Sequence, residues 1–285
     1  MNMKKIVCAG LFLGIGLTST ACSTSYMVDR ALGQGMNRAT DRVGDEIGNR
    51  LGDAIADHML SKLGPEMMRA YSLGLFQVLF YQGGYSFQFS GYEPGEYTRW
   101  DAKGLAQGDW FEKALLKREA DGSEWWRVES RGTDDDGKPI ELIIEALFGP
   151  ENEDGGRQIL RMRAKYPHKK EAQEVPVRES DGETWAVSTS NRLTKESTEG
   201  MKVGTETIKT PAGTFETAHL RTSNLVNESA LNWWVAESSD IPGRVVRYSQ
   251  DAANDENEDE KAEAVYEVTL LKYGQDATVS KLGTF

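Results

Sequence analysis

The chain has 285 residues, of which 39% are hydrophobic, and a formal net charge of −12 from 45 acidic and 33 basic residues. That apolar content can build the core of one large domain or two small ones, which separates the chain from disordered polymers. The acidic balance argues against nucleic acid or anionic lipid as a general partner.

Lys4 and Lys5 precede a short apolar run from Ile6 to Leu17, followed by small residues up to Cys22. This layout predicts a secretory signal over residues 1–21, too short for a spanning helix. Ser19-Thr20-Ala21-Cys22 resembles a bacterial lipobox, with Ser19 where leucine is usual. The resemblance implies a diacylated Cys22 at the mature N-terminus. With Ser23 next, it also implies passage to the outer membrane, facing the periplasm. Ordinary cleavage after Ala21 is the alternative, because Ser19 and Ala21 also satisfy the small-x-small rule. With Cys8 removed and Cys22 lipidated, the mature chain forms no disulfide and depends on packing.

Residues 22–39 read as a tether and residues 40–84 as a helical hairpin. Val43, Ile47, Leu51, Ile55, Met59 and Leu63 recur every fourth residue, with Gly44, Gly48 and Gly52 beside them. Four helical steps make about 400°, so this seam drifts by about 40° per repeat. Each mid-helix glycine opposes the helix by about 0.5 to 1 kcal/mol, so the three glycines fit best against a closely approaching partner backbone. That partner is a second segment of the chain or a second copy, which makes homo-oligomerisation one reading. Gly64-Pro65 is a stop followed by a start. Residues 66–81, EMMRAYSLGLFQVLFY, predict a buried helix too short to span a bilayer, with a strand over 75–81 as the alternative.

From Tyr85 the pattern changes to short alternating runs separated by Asp121-Gly122, Asp136-Gly137 and Asp181-Gly182, and all seven tryptophans lie in this part. About a dozen runs predict an antiparallel meander. Phe111-Glu112-Lys113-Ala114 leading to Trp125-Trp126 is echoed by Phe215-Glu216-Thr217-Ala218 leading to Trp233-Trp234. Together with a terminal tyrosine in each copy (Tyr166, Tyr273), this predicts two related four-strand units, over residues 85–170 and 171–285. The fold class is therefore α+β, mainly β.

Thr210-Pro211-Ala212-Gly213-Thr214-Phe215, then Trp233-Trp234, then Pro242-Gly243-Arg244-Val245-Val246-Arg247-Tyr248 resembles the pattern of periplasmic β-sheet proteins of the lipoprotein-carrier and LppX-like class. Trp234 stands where tyrosine is commoner in that class. The resemblance implies a strongly curved antiparallel half-barrel whose concave face is closed by helices and can hold acyl chains.

Adjacent residues of a strand point to opposite faces, so one tryptophan of each pair should enter the core. The other lines an apolar slot or lies under the N-terminal helices; Trp126 and Trp234 are the candidate lining residues. Arg161 and Arg163, with Lys165, form a basic stripe. It can receive an anionic headgroup, or pair across strands with Glu141 and Glu145 as a surface arrangement. The acidic run 251–260 lacks calcium-loop spacing and reads as a solvated hairpin tip. His58, His168 and His219 are isolated, and no zinc spacing, G-x-S-x-G or phosphate loop occurs. The expectation is a non-catalytic protein with no metal or cofactor that binds an apolar ligand or an envelope protein.

Overall fold

The computed structural model describes residues 65–81, 91–101, 110–133, 138–153, 156–167, 169–178, 187–188, 194–223, 230–238, 240–251 and 264–285. The expected signal, Cys22, the tether, the small-residue helix with Gly44, Gly48 and Gly52, His58, His168 and the acidic run beyond Asp251 lie outside them.

Pro65 has no backbone donor to lose and sits in the first turn of a helix without penalty. Helix α1 starts there and runs Pro65–Tyr81, so the helix is found and the strand alternative is not. No described helix is long and apolar enough to cross a membrane. The strands are β1 (Tyr97–Asp101), β2 (Trp110–Arg118), β3 (Glu124–Thr133), β4 (Pro139–Phe148), β5 (Gly156–Arg157), β6 (Ile159–Lys165), β7 (Gln173–Val175) and β8 (Val187–Ser188). After helix α2 (Lys195–Met201) come β9 (Lys202–Thr210), β10 (Gly213–Ser223), β11 (Ala230–Ala236), β12 (Val245–Asp251) and β13 (Ala264–Gly274). Helix α2 has no counterpart in the sequence reading, since seven residues that include Gly200 carry no legible period.

Eleven strands form one curved, unclosed antiparallel sheet in the order β7-β6-β4-β3-β2-β1-β13-β12-β11-β10-β9. β1 is the middle strand. The chain meanders outward from it to β7, crosses to the opposite edge, and meanders back until β13 pairs with β1, Tyr97 opposite Gly274. The turns follow local chemistry. At Asp121-Gly122 the glycine takes φ 88°, a left-handed conformation that a side chain disfavours, and the Asp121 carboxylate accepts the Ser123 amide at 2.8 Å.

The inner face, where α1 lies, carries the principal core. Trp100, Phe111, Trp126, Ile144, Phe148 and Met162 are each at most 2% exposed there. They pack with Leu73, Phe76 and Phe80 of α1. Each such side chain contributes about 1.5 to 3 kcal/mol when removed from water. A buried hydroxyl pair, Ser72 with Tyr166 at 2.5 Å, ties α1 to the end of β6.

Within this one sheet the two tryptophan-pair segments lie in four-strand meanders, β2-β3-β4-β6 and β10-β11-β12-β13, but corresponding positions face opposite sides. Trp126 is inner and Trp125 outer; Trp233 is inner, beside Tyr248 at 5.4 Å, and Trp234 outer. The reason is geometric. The units lie five strands apart in an antiparallel sheet, so the second runs with reversed strand direction, and only a rotation that exchanges the faces can relate them.

Candidate binding surfaces

Beneath α1, aromatic side chains of the described residues pack directly on one another. The Phe80 ring meets Trp126 edge-on at 5.0 Å and Phe148 at 5.2 Å, and Phe76 stacks on Phe80 at 5.5 Å. Trp126, a candidate lining residue, is part of this packing and donates its indole N–H to Glu124 Oε2 at 3.0 Å. Lys113 shares the face. Its ammonium donates to the Phe80 carbonyl, in the last turn of α1, at 2.8 Å and lies 4.9 Å from the Tyr92 ring centroid. A cation at a helix C-terminus satisfies a carbonyl that has no intrahelical partner. The sequence carried the signal, because Phe111, Lys113 and Leu115 alternate along β2 and must share a side.

A cavity of about 260 Å³ opens between α2 and strands β10–β11, with an apolar floor of Ala218, Leu220 and Val235 and charged residues at its rim. One of these, Arg244, has φ 59°, a strained conformation for a long side chain. It is held by donation from Nε and Nη2 to the Ala236 carbonyl at 2.9 and 2.6 Å. Burial lowers its pKa from the ordinary guanidinium value.

On the outer face of the second unit, His219 stacks on Trp234 at 4.5 Å. Its Nδ1 lies 2.9 Å from Glu206 Oε1 and its Nε2 lies 3.1 Å from Asn232 Oδ1. Asn232 Nδ2 donates onward to Asp251 Oδ2 at 3.0 Å. Residue types of a hydrolytic triad meet here, but the partner of the nearby Ser249 hydroxyl is Asn232 rather than the histidine. The cluster is a ladder across four strands. Among the described residues, no group of three or more His, Cys, Asp or Glu side chains could hold a metal.

The outer face of the first unit carries ions in strand register. Arg127, Glu145, Arg163 and Glu174 stand directly opposite one another on β3, β4, β6 and β7. The basic stripe does pair across strands with Glu145 and Glu141, through Arg163 at 2.8 Å and Lys165 at 3.8 Å respectively. The expectation of a surface arrangement is corrected for the first of these: Arg163 is 4% and Glu145 0% exposed. Arg161 does lie at the surface, where its Nε donates to Glu174 at 3.1 Å. Leu160, apolar like Met162 and Ala164 at the alternate positions of this strand, is nevertheless 54% exposed, because the register slips between Leu147 and Phe148.

The cover responsible is the segment 275–285, which lies on this face; α1 covers the opposite one. Val279 O accepts from Arg127 Nη1 at 3.2 Å and Thr284 O from Arg163 Nη1 at 2.6 Å. The Ser280 hydroxyl and the Lys281 amide donate to Glu145 at 2.7 and 3.0 Å, and Lys281 Nζ donates to Glu129. Phe285 rests on Trp125 at 5.5 Å. The four candidate lining residues therefore do not converge, with Trp126 inside and Trp234, Arg161 and Arg163 outside. The role of 279–285 left no trace in the sequence reading, since irregular chain has no period to detect.

No family model and no curated protein matches the chain. Among solved structures it is similar to "Crystal structure of MucB", at 10% identity and a TM-score of 0.27, over 70% of this chain and 60% of that one. The chain thus spans about 60% of the length of that protein, and a likeness this weak carries no functional argument.

Proposed function

We propose that this chain is a non-catalytic docking protein of the bacterial envelope, held at the outer membrane by acyl chains on Cys22 and facing the periplasm. The observation that supports docking over carriage of an apolar guest is the packing beneath α1. Phe76, Phe80, Trp126 and Phe148 fill that space, each at most 2% exposed. Recognition then falls to the sheet's outer face and, through the small-residue spacing of 43–63, to self-association.

Native mass spectrometry after gentle purification tests the reading. The expected result is a chain whose only lipid is the one covalently attached; a stoichiometric noncovalent lipid would replace docking by carriage. Cys22→Ser should move the protein from the membrane fraction to the soluble one. If self-association runs through the small-residue helix, Gly48→Leu should dissociate the assembly.

A second reading rests on the 260 Å³ cavity. It falls just below the usual range for small-molecule sites, about 300 to 1,000 Å³. Its floor is apolar, and its rim sets three cations, Lys195, Lys202 and Arg244, against two carboxylates, Glu199 and Glu237, a positive excess that suits a short amphipathic anion. A decanoate adduct removed by Leu220→Arg would support it.

A further inference from the structure

The outer face of β2, β3, β4 and β6 buries five ionised side chains under a segment with no secondary structure. Glu112, Arg127, Glu129, Glu145 and Arg163 are each at most 4% exposed. A strap that only stabilised the sheet would do better over apolar residues, because desolvating ions offsets most of what their pairing returns. Glu112 holds Arg127 in place, and the other four read the strap. Two arginines take main-chain carbonyls, Glu145 takes a hydroxyl and the next amide, and Glu129 takes an ammonium.

Two further features bear on reversibility. When the strap lifts, these ions meet water rather than an apolar void, so the open state escapes the penalty that an uncovered hydrophobic groove would carry. The strap also leaves the site incompletely satisfied. Arg127 Nε is buried without a hydrogen-bond partner, and the Glu129 carboxylate lies 3.7 Å from it, beyond hydrogen-bond reach.

We infer that this face is a peptide-recognition groove, occupied here by the chain's own residues 275–285. It is open in exchange to an extended segment of a partner protein that carries the same chemistry: a hydroxyl residue followed by lysine, with an aromatic residue four positions later. This rests on the docking reading and names its surface. The tests are separable, since lipid carriage would overturn docking without touching groove exchange, and a fixed strap would overturn exchange without adding lipid.

A fluorescent peptide of sequence QDATVSKLGTF, titrated into the full chain by anisotropy, tests it. Lys281→Glu places a carboxylate of the strap against Glu129 and should open the groove, so that this variant binds the peptide at least about tenfold more tightly than the unaltered chain. Adding Glu129→Lys should reseat the variant strap and reject the peptide's lysine, abolishing the gain. Peptide binding to Lys281→Glu no tighter than to the unaltered chain, or undiminished by Glu129→Lys, overturns the proposal. Hydrogen exchange on the unaltered chain is independent of any substitution. The Lys281 amide should exchange at least about tenfold faster than the paired amides of β3 and β4; release only together with those strands would make the strap a fixed part of the core and end the proposal.

Discussion

Lys113 is fully buried among aromatic rings on the strand that supports α1. Its stem fills space and its ammonium closes the last turn of the helix, so truncation removes both. Lys113→Ala should destabilise the protein by about 2 to 4 kcal/mol, combining a large-to-small cavity with a lost charged hydrogen bond. Lys113→Met, which keeps the volume, should lose less; chemical denaturation of the two variants measures the difference. Gly95 makes a different demand. It has φ 91°, and a Cβ there would lie 2.9 Å from the Gln275 carbonyl and 3.0 Å from Thr278 Cγ2, where Ala277 N–H donates to the Gly95 carbonyl at 2.9 Å. Gly95→Ala should therefore push the strap off its seat, read as faster exchange of the Ala277 amide and a loss of about 1 kcal/mol or more. The alternation of β2 made the inward direction of Lys113 legible. Nothing in the sequence around Gly95 announced the strap, because its partner, Ala277, lies 182 residues away.

At the level of elements, α1 was readable because two independent signals agree, a Gly-Pro break and an apolar run of helical length. Its docking makes the protein sensitive to alkali. Burial pushes the Tyr71 hydroxyl up to about 12 from 10.0, with Tyr166 adding to the shift, and burial raises Tyr166 as well. A folded-state pKa above the unfolded one means the native state holds its proton longer. The resulting stability is complete below pH of about 10 and is lost as pH rises through about 12. Tyrosinate absorbance should show Tyr71 remaining protonated above pH 10 until the chain unfolds, and Tyr71→Phe should flatten the loss of stability over that window. The strands were legible as a class, by alternation and turn residues, whereas their irregularities were not. The slip between Leu147 and Phe148, which turns Leu160 outward, arises from pairing between strands and has no local cause to read. The same limit hid the burial of Arg163. A basic residue on an alternating strand predicts solvent, and only the strap, distant in sequence, reverses that.

For the molecule as a whole, the mainly-β antiparallel class followed from strand spacing and turn residues. The exchange of faces between the two units did not, since it depends on how many strands separate them. The candidate site residues dispersed for the same reason: Trp126 and Trp234 occupy matching places in the echo, so they must look to opposite sides. The order of the sheet also constrains how the protein can be made. Its central seam joins β1 to β13, with Tyr97 opposite Gly274, so a strand made early waits for one made late. Closing so long a loop is slow, and until it happens the first unit presents β1 as an open edge able to pair with the wrong chain. The strap follows β13 directly and can seat only once the seam has formed, so it belongs to the native side of the folding barrier. Deleting residues 275–285 should accelerate unfolding by far more than it slows refolding, as the two arms of a chevron would report. The groove under the strap would then act in time as well as in space: any competing segment meets it empty only before the strap has first seated or after it has let go, which ties partner capture to the formation of the β1–β13 seam.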